Sequence, residues 1–276
     1  MRDFAAMSAA QWQRGRSVSV GLDPEMSRIP QAARSGDARD TVARFLAAIV
    51  DTTHDVAGFY KPNSAFFEAL GTDGWLALKD VCAHIKVVAP ETPIILDAKR
   101  GDIGSTNEGY VRMAFDDLGV DAITVHPYLG HEALEPFLAR REKGIIVLAK
   151  TSNHGSAEFQ DQLIGEEPLY ALVARHVAQE WNANGNCAVV VGSTYPQELA
   201  RVRSIVGTMP ILMPGVGAQG ADVRATVRAG RNPDGSGMIV NSSRGILYAS
   251  SGTDFADMAR AKAQELHGDI QMALLE

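Results

Sequence analysis

A dense group of ionisable residues follows one short apolar run. Pro93–Lys99 reads PIILDAK, so Asp97 and Lys99 come at its end, and Asp102 follows just after Gly101. Residues two apart in a strand point to the same side, which predicts that Asp97 and Lys99 share one face. Charges at the end of an apolar strand are costly to desolvate unless they pair. We therefore predict a functional cluster of two carboxylates and one ammonium group.

Two other apolar runs also end in an ionisable residue. Ser17–Asp23 (SVSVGLD) ends at Asp23, and Gly58–Lys61 (GFYK) ends at Lys61. In a barrel of parallel strands, active sites lie where the strands end and the following loops begin. We therefore expect Asp23 and Lys61 to face the same pocket as Asp97 and Lys99.

A glycine-rich segment, Gly215–Gly220 (GVGAQG), follows the seventh apolar run. Its GxGxxG spacing is typical of a dinucleotide-binding turn. It comes late in the chain, however, and the next run ends in Asn241 and Ser242 instead of the acidic residue that holds a ribose. In barrels, the loops after strands seven and eight bind phosphate, and Arg244 follows the eighth run. We favour a phosphate monoester site over a dinucleotide site.

The histidines and cysteines give weaker signals. His126 and His131 flank the end of the fourth run and could be metal ligands or a general acid and base, but no third ligand is evident. We favour structural roles for both and predict no metal. Cys82 and Cys187 are the only cysteines, too few to staple a chain of this size, so we expect free thiols in a reducing cytoplasm.

These residues depend on elements that alternate regularly. Val-rich and Ile-rich runs without polar alternation are typical of parallel strands buried on both faces, and the segments between them have helical periodicity. The pattern predicts a single-domain (β/α)₈ barrel over about residues 17–276, after an N-terminal helix over about residues 1–16. An open doubly wound sheet is the alternative, because periodicity does not show closure. The eight runs are Ser17–Asp23, Gly58–Lys61, Pro93–Lys99, Ala122–His126, Gly144–Lys150, Ala188–Ser193, Pro210–Pro214 and Met238–Ser243. The helical segments are Ala38–His54, Phe66–Val87, Thr106–Leu118, His131–Glu142, Pro168–Trp181, Pro196–Val206, Ala221–Ala229 and Asp254–Leu275.

The composition narrows the classes of partner. Of the 276 residues, 46% are hydrophobic and 21% charged, which is an ordinary globular balance, and the formal net charge is −7. An acidic chain lacks the broad basic face that nucleic acid or an acidic membrane surface needs, so we expect neither as a partner. The first sixteen residues lack the apolar run of a signal peptide, and no stretch reaches the length of a membrane span. A small anionic substrate stays possible, since it needs only a few local cations.

The segment Asp97–Tyr110 (DAKRGDIGSTNEGY) resembles the Asp-x-Lys-x-x-Asp motif of orotidine 5′-monophosphate decarboxylases, most of all their longer bacterial branch. Other motifs follow in the order of that family: VGLDPE around Asp23, FYKPN around Lys61, KTSN around Ser152, and PGVGAQG with SSRG around Arg244. The resemblance covers essentially the whole barrel. It implies cofactor-free conversion of orotidine monophosphate to uridine monophosphate and CO₂, the last step of uridine monophosphate synthesis.

The resemblance also implies a role for each matching residue. Lys99 would protonate C6 as CO₂ leaves, and Asp97 would lie near the departing carboxylate. Lys61 and Asp102 would complete an alternating Lys–Asp–Lys–Asp network. Asp102 and Thr106 would come from the partner subunit of a homodimer. The implied substrate contacts are Asp23 to ribose, Ser152 and Gln219 to the pyrimidine, and Gly217, Gln219 and Arg244 to phosphate.

Two alternatives stay open on the sequence. Hexulose-phosphate synthases and ketogulonate-phosphate decarboxylases share the motif and the phosphate loops, but they use Mg²⁺ and an enediolate. They typically carry a carboxylate at the position of Lys61, so this lysine favours the metal-free decarboxylase. The other alternative is a non-catalytic barrel that binds nucleotides as a sensor, against which the intact charge cluster argues.

Overall fold

Parallel strands form one sheet, as the alternation predicts, and its two outer strands come together. The computed structural model describes residues 2–216 and 222–276. In that part of the chain the sheet has eight strands: β1 Val18–Leu22, β2 Phe59–Pro62, β3 Ile95–Arg100, β4 Ala122–Val125, β5 Gly144–Lys150, β6 Cys187–Val191, β7 Ile211–Pro214 and β8 Met238–Ser242. Their order in the sheet is β2-β1-β8-β7-β6-β5-β4-β3.

The barrel closes between β2 and β3. Tyr60 pairs with Ile94 and Asn63 with Asp97 in two isolated parallel bridges, and the Tyr60 amide donates to the Pro93 carbonyl at 3.0 Å. This closure confirms the predicted (β/α)₈ barrel and excludes the open doubly wound sheet. It also brings the ends of β2 and β3 side by side.

Helices surround the sheet on the outside. Helix α2 shows why they form: the Asp37 carboxylate caps its first turn by accepting from the Asp40 amide at 2.8 Å, and Phe45 and Ile49 on one face are fully buried. In the described residues no helix is long and apolar enough to cross a membrane. The helices are α1 Phe4–Gln13, α2 Ala38–Thr53, α3 Ser64–Glu68, α4 Gly71–Val88, α5 Gly104–Val111, α6 Gly130–Leu138, α7 Ala157–Gln160, α8 Leu169–His176, α9 Pro196–Val206, α10 Val223–Gly230, α11 Arg244–Leu247 and α12 Phe255–Leu274. Single 3₁₀ turns cover Met26–Arg28, Gln31–Ala33 and His154–Ser156, and π-helical turns, Arg112–Asp117 and Val177–Trp181, extend α5 and α8.

The predicted ends of the strands and helices agree with the observed ends within a few residues, with one clear exception. The sequence predicts one helix over Phe66–Val87, but α3 and α4 are separate, because Leu70 leaves helical geometry and Gly71 adopts φ +62°. The segment between β5 and α8 has structure of its own. It contains the turn His154–Ser156, α7 and a small hairpin formed by Leu163–Ile164 and Glu167–Pro168.

Helix α1 closes the end of the barrel at which the strands begin. Phe4 belongs to the apolar cluster inside the barrel, with Phe59, Ile95, Ile146, Leu212 and Ile239 among its members. A Cβ on Gly144 would overlap the Phe4 ring, so only glycine fits at the start of β5. Trp12 donates from its indole to the Met238 carbonyl at 2.7 Å. The interior is therefore filled at this end, and a pocket is left at the other.

Candidate active site

A cavity of about 400 Å³ opens at the carboxyl ends of the strands. That volume suits a small organic molecule. Its floor is apolar, formed by Leu148, Val190 and Leu212, and its walls are polar. Six residues that the sequence predicts as site residues line it: Asp23, Lys61, Asp97, Lys99, Ser152 and Arg244. Three cations against two carboxylates suit an anionic ligand.

Two lysines share one carboxylate at the centre of the pocket. Lys61 Nζ, from the end of β2, donates to Asp97 Oδ2 at 2.8 Å, and Lys99 Nζ donates to Asp97 Oδ1 at 2.6 Å. The side chain of Lys61 is 3% exposed and that of Asp97 is 13% exposed, whereas Lys99 is 48% exposed. We call Lys61, Asp97 and Lys99 the charge cluster. Its buried members are fixed, while the ammonium group of Lys99 is open to a ligand.

Asp97 and Lys99 meet as predicted, but the prediction that strand alternation brings them together was wrong. Regular alternation does not hold there: the pairing of β3 with β4 shifts register between Leu96 and Arg100, and Lys99 has φ +48°. Among the described residues Lys99 is the only non-glycine residue with positive φ. An irregular backbone, not a flat strand, therefore brings its ammonium group to the carboxylate.

The surroundings keep the cluster charged. Burial alone would raise the pKa of Asp97, but the ammonium groups of Lys61 and Lys99 outweigh it and hold that pKa well below the ordinary value. Burial would likewise lower the pKa of Lys61, and the negative charges of Asp97 and Asp23 outweigh it, so this pKa is raised. Asp97 is therefore an anion, and Lys61 a cation, across the neutral pH range.

Asp23 follows β1 and presents an unused acceptor. Its Oδ1 is buried and has no hydrogen-bond partner within residues 2–216 and 222–276. The loop that carries it is braced by Tyr248, whose hydroxyl donates to the Asp23 carbonyl at 2.8 Å and accepts from the Glu25 amide at 2.6 Å. Burial raises the pKa of Tyr248 to about 12, so this hydroxyl stays protonated. A buried carboxylate oxygen without a partner suits a ligand hydroxyl.

Ser152 lies at the start of the segment after β5. A Cβ on Gly192 would lie 2.7 Å from its Cα, so a glycine at the end of β6 allows the close approach. The segment is anchored by the fully buried Lys150, whose Nζ donates to Asp161 Oδ1 at 2.6 Å. Tyr195 also donates to the Asn153 carbonyl at 3.3 Å. These contacts hold Ser152 against the pocket.

Arg244 begins the short helix α11 at the mouth of the pocket, with an exposed side chain. Gly215, at the start of the glycine-rich segment, also lines the pocket. Gly217 and Gln219, which the sequence predicts as ligand contacts, lie outside the described residues.

Asp102 and Thr106 do not line the pocket of their own chain. Asp102 follows β3, and its carboxylate accepts from the Ile103 amide at 2.8 Å. Thr106 is exposed on α5. Ile103, which follows Asp102 in the chain, is apolar and 60% exposed.

The histidines and cysteines have structural surroundings. His126 Nε2 is 2.9 Å from the Gly101 carbonyl oxygen, and the ring of His131 packs on Trp181. Within the described ranges no group of three His, Cys, Asp or Glu side chains could hold a metal ion. Both cysteines are free, and burial raises the pKa of each thiol to about 12, which leaves neither as a nucleophile.

Several pocket residues were missed on the sequence. Asn63 and Asn153 line the walls, and Asn241 lies on β8 with Oδ1 accepting from the Ser19 hydroxyl at 3.1 Å. Asn63 follows Lys61 by two residues and Asn153 follows Ser152, so a search for amides beside charged strand ends would have found both. The apolar floor residues carry no such signal, because each lies within an ordinary strand sequence.

The fold and the pocket define a (β/α)₈ barrel with a Lys–Asp–Lys cluster and an arginine at the mouth, a class suited to anionic phosphate esters. The chain belongs to the orotidine 5′-phosphate decarboxylase / HUMPS family, whose model matches residues 16–258. That match covers the strands and every pocket side chain described above.

Relatives and solved structures agree with this family. The chain is 50% identical over 271 residues to an orotidine 5′-phosphate decarboxylase of Azoarcus sp. (strain BH72), with 98% of each chain covered. It is 47% identical over 275 residues to one of Roseiflexus castenholzii, with 99% of each covered. The structure of Leishmania donovani OMP decarboxylase is similar over 99% of both chains, with a TM-score of 0.87 and 37% identity.

Proposed function

We propose that this chain catalyses the cofactor-free decarboxylation of orotidine 5′-monophosphate to uridine 5′-monophosphate and CO₂, the step that completes uridine monophosphate synthesis. The named relatives support the substrate and the reaction. The observation that carries the proposal is the charge cluster, in which Lys61 and Lys99 share Asp97 inside the pocket. The catalytic unit is one barrel domain over residues 1–276.

Loss of CO₂ from C6 poses a specific electrostatic problem. The bond between C6 and the carboxylate breaks, and its electron pair stays on an sp² carbon with no π-system to receive it. The ammonium group of Lys99 stabilises that developing charge and transfers its proton to C6. The resulting amine regains a proton from water. Lys99 is the member of the cluster with an exposed ammonium group, which suits this role.

Lys61 and Asp97 hold Lys99 in place before the substrate arrives. Their own charges are paired at 2.8 Å, so no reorganisation is needed as charge develops. The apolar floor formed by Leu148, Val190 and Leu212 excludes water below them, which strengthens the electrostatic interaction.

The other site residues bind parts of the substrate remote from C6. Asp23 accepts a ribose hydroxyl at its unpartnered Oδ1, Ser152 and Gln219 contact the pyrimidine, and Gly217, Gln219 and Arg244 hold the phosphate. The contacts proposed for Asp23, Ser152 and Arg244 are supported by the place of these residues in the pocket. The contacts proposed for Gln219 and Gly217 depend on the sequence resemblance alone. Binding energy from these groups lowers the barrier at C6 by fixing the substrate's orientation.

The proposal includes a homodimer with shared sites. Asp102 and Thr106 lie outside their own chain's pocket, and Ile103 beside Asp102 is exposed. An exposed apolar side chain next to Asp102 fits contact with a second copy that receives Asp102 as the fourth member of its network. The two free buried thiols support a reducing, cytoplasmic location.

The test uses purified protein and orotidine monophosphate, with and without EDTA. We expect loss of the substrate's ultraviolet band, with uridine monophosphate and CO₂ as the products, at the same rate in both samples. An unchanged band with tight nucleotide binding would identify a sensor. Activity only with Mg²⁺, on a sugar phosphate, would identify one of the enediolate enzymes.

A further inference from the structure

Thr124 lies beneath the charge cluster without lining the pocket. It occupies the middle of β4, and only 1% of its surface is exposed. Both hydrogen bonds of its hydroxyl go to the cluster: Oγ1 accepts from the Lys99 backbone amide at 2.9 Å and donates to Asp97 Oδ1 at 2.9 Å. The hydroxyl is therefore satisfied entirely by two residues that the proposed reaction requires.

The backbone opposite Thr124 is irregular. Leu96 pairs with Ile123 and Arg100 pairs with Val125, so Thr124 is the single β4 residue opposite the three residues from Asp97 to Lys99. Those residues depart from the regular ladder, and Lys99 adopts φ +48°. A left-handed backbone is unfavourable for a residue with a Cβ and persists only when its surroundings hold it. The Thr124 hydroxyl supplies the hydrogen bond that a β4 carbonyl would supply in a regular strand.

The direction of the Lys99 side chain depends on this backbone. The side chain is half exposed, so packing does not fix its rotamer, and its ammonium group bonds to the same Asp97 oxygen that Thr124 contacts. Thr124 thus fixes both ends of the Lys99 side chain: the amide at its root and the carboxylate at its tip. We propose that Thr124 is a positioning residue, which holds the left-handed backbone of Lys99 and the rotamer of Asp97 so that the ammonium group points at the reacting carbon.

This inference rests on the proposed function, because Lys99 must be the proton donor for its direction to matter. The variant that tests it is Thr124→Val, which keeps the shape of the side chain and removes the hydroxyl. Thr124→Ser restores a hydroxyl without the methyl group. Thr41→Val is the matched control: Thr41 is also buried, and its Oγ1 accepts from the Ser35 amide at 3.1 Å and donates to the Ser35 carbonyl at 2.7 Å, away from the pocket.

We expect Thr124→Val to lower the single-turnover rate on orotidine monophosphate by about 10- to 100-fold, the size of effect that a misplaced catalytic group produces. Because the pocket walls are unchanged, KM and the affinity for uridine monophosphate should stay close to the wild-type values. Thr124→Ser should recover most of the rate. Thr41→Val should keep the wild-type rate even if its melting temperature falls as far as that of Thr124→Val.

The outcomes separate this inference from the proposed function. Wild-type turnover in Thr124→Val, beside an inactive Lys99→Ala, would overturn the role of Thr124 and leave the reaction as proposed. An active Lys99→Ala would overturn the proposed function instead. Equal losses in Thr124→Val and Thr124→Ser would also reject the hydroxyl's role. If Thr124→Val does not fold, Thr124→Ala carries the same expectation, and Thr124→Ser must still exceed it in rate.

Discussion

Lys61 and Asp97 are 36 residues apart in the chain, and their side chains meet at 2.8 Å where the barrel closes. Lys61 lies near the end of β2 and Asp97 on β3, the two strands joined only by isolated bridges. The ion pair therefore lies directly beside the closure of the sheet. The two charges can therefore pair only when β2 and β3 are brought together by closure of the barrel.

Replacement of Lys99 tests the assignment of the proton donor. Lys99→Ala removes both the proton and the local cation, so we expect decarboxylation to fall by several orders of magnitude. Affinity for uridine monophosphate should persist, because Asp23, Ser152 and Arg244 are intact. Turnover and product titration measure the two effects. Lys79→Ala, which removes an exposed lysine paired with Asp117, serves as the control with wild-type turnover. A Lys99→Ala rate above about a tenth of wild type would overturn the assignment.

Replacement of Asp97 tests how much the charge cluster contributes to the free energy of unfolding. Asp97→Asn leaves the buried Lys61 ammonium without its carboxylate, which should lower the free energy of unfolding at pH 7 by roughly 3 kcal/mol. The depressed pKa of Asp97 contributes stability that is present above the ordinary carboxyl pKa, about 4, and is lost as the pH falls through the folded-state pKa. The difference between wild type and variant should therefore be constant from pH 7 to about 4 and shrink below it.

Denaturant unfolding over this pH range measures that difference. The control is Asp80→Asn, which breaks an exposed pair with Arg39 and should cost less than about 1 kcal/mol. A difference for Asp97→Asn that does not narrow in acid would show that the carboxylate's ionisation contributes nothing to folding.

Replacement of Arg244 tests the phosphate site. Arg244→Ala should weaken substrate capture through loss of a charge-assisted phosphate contact of about 1.5–3 kcal/mol. The loss should appear in kcat/KM for orotidine monophosphate and be far smaller for orotidine, which has no phosphate. Arg228→Ala removes an exposed arginine of α10 that pairs with Glu276, and its kinetics should match wild type. Equal losses on both substrates would mean that Arg244 does not contact phosphate.

Removal of metal tests the cofactor-free assignment. We expect full activity after dialysis against EDTA, because in the proposed mechanism the lysines of the cluster supply the positive charge near the reacting carbon. Turnover before and after dialysis is the measurement. Activity that disappears with EDTA and returns with added Mg²⁺ would favour the metal-dependent branch of the family.

Subunit mixing tests the shared site. Lys99→Ala and Asp102→Ala should each be inactive alone. If Asp102 serves the neighbouring Lys99, a mixed dimer has one site with both changes and one with neither. About half of wild-type activity should then return for each mixed dimer, and about a quarter across a statistical mixture.

The matched control for mixing is Lys99→Ala with Lys61→Ala. Both lysines line the pocket of one chain, so every site of that mixed dimer carries one change and no activity should return. Absence of recovery with Asp102→Ala, after demonstrated exchange of subunits, would place Asp102 in its own chain's site.

Local patterns in the sequence determined the elements of this protein and the types of its site residues. Buried parallel strands need continuous apolar runs, so β5 could be predicted with its observed ends, and helical periodicity predicts α9 with its observed ends. Eight such strand–helix units are the number that a (β/α)₈ barrel requires. Asp23, Lys61, Asp97 and Lys99 could be chosen because charges at the ends of apolar strands are costly to desolvate unless they pair, and such pairs often mark a functional site.

Only the tertiary structure decided how those residues meet. The pairing of Lys61 with Asp97 depends on closure between β2 and β3, which no local pattern encodes. The left-handed backbone of Lys99 and the hydroxyl of Thr124 beneath it depend on a register shift between two strands, whereas the sequence there reads as an ordinary strand. The roles of Thr124 and of the apolar floor of the pocket could not be predicted from the sequence for the same physical reason. Those roles depend on which residues pack against them and not on the residue type.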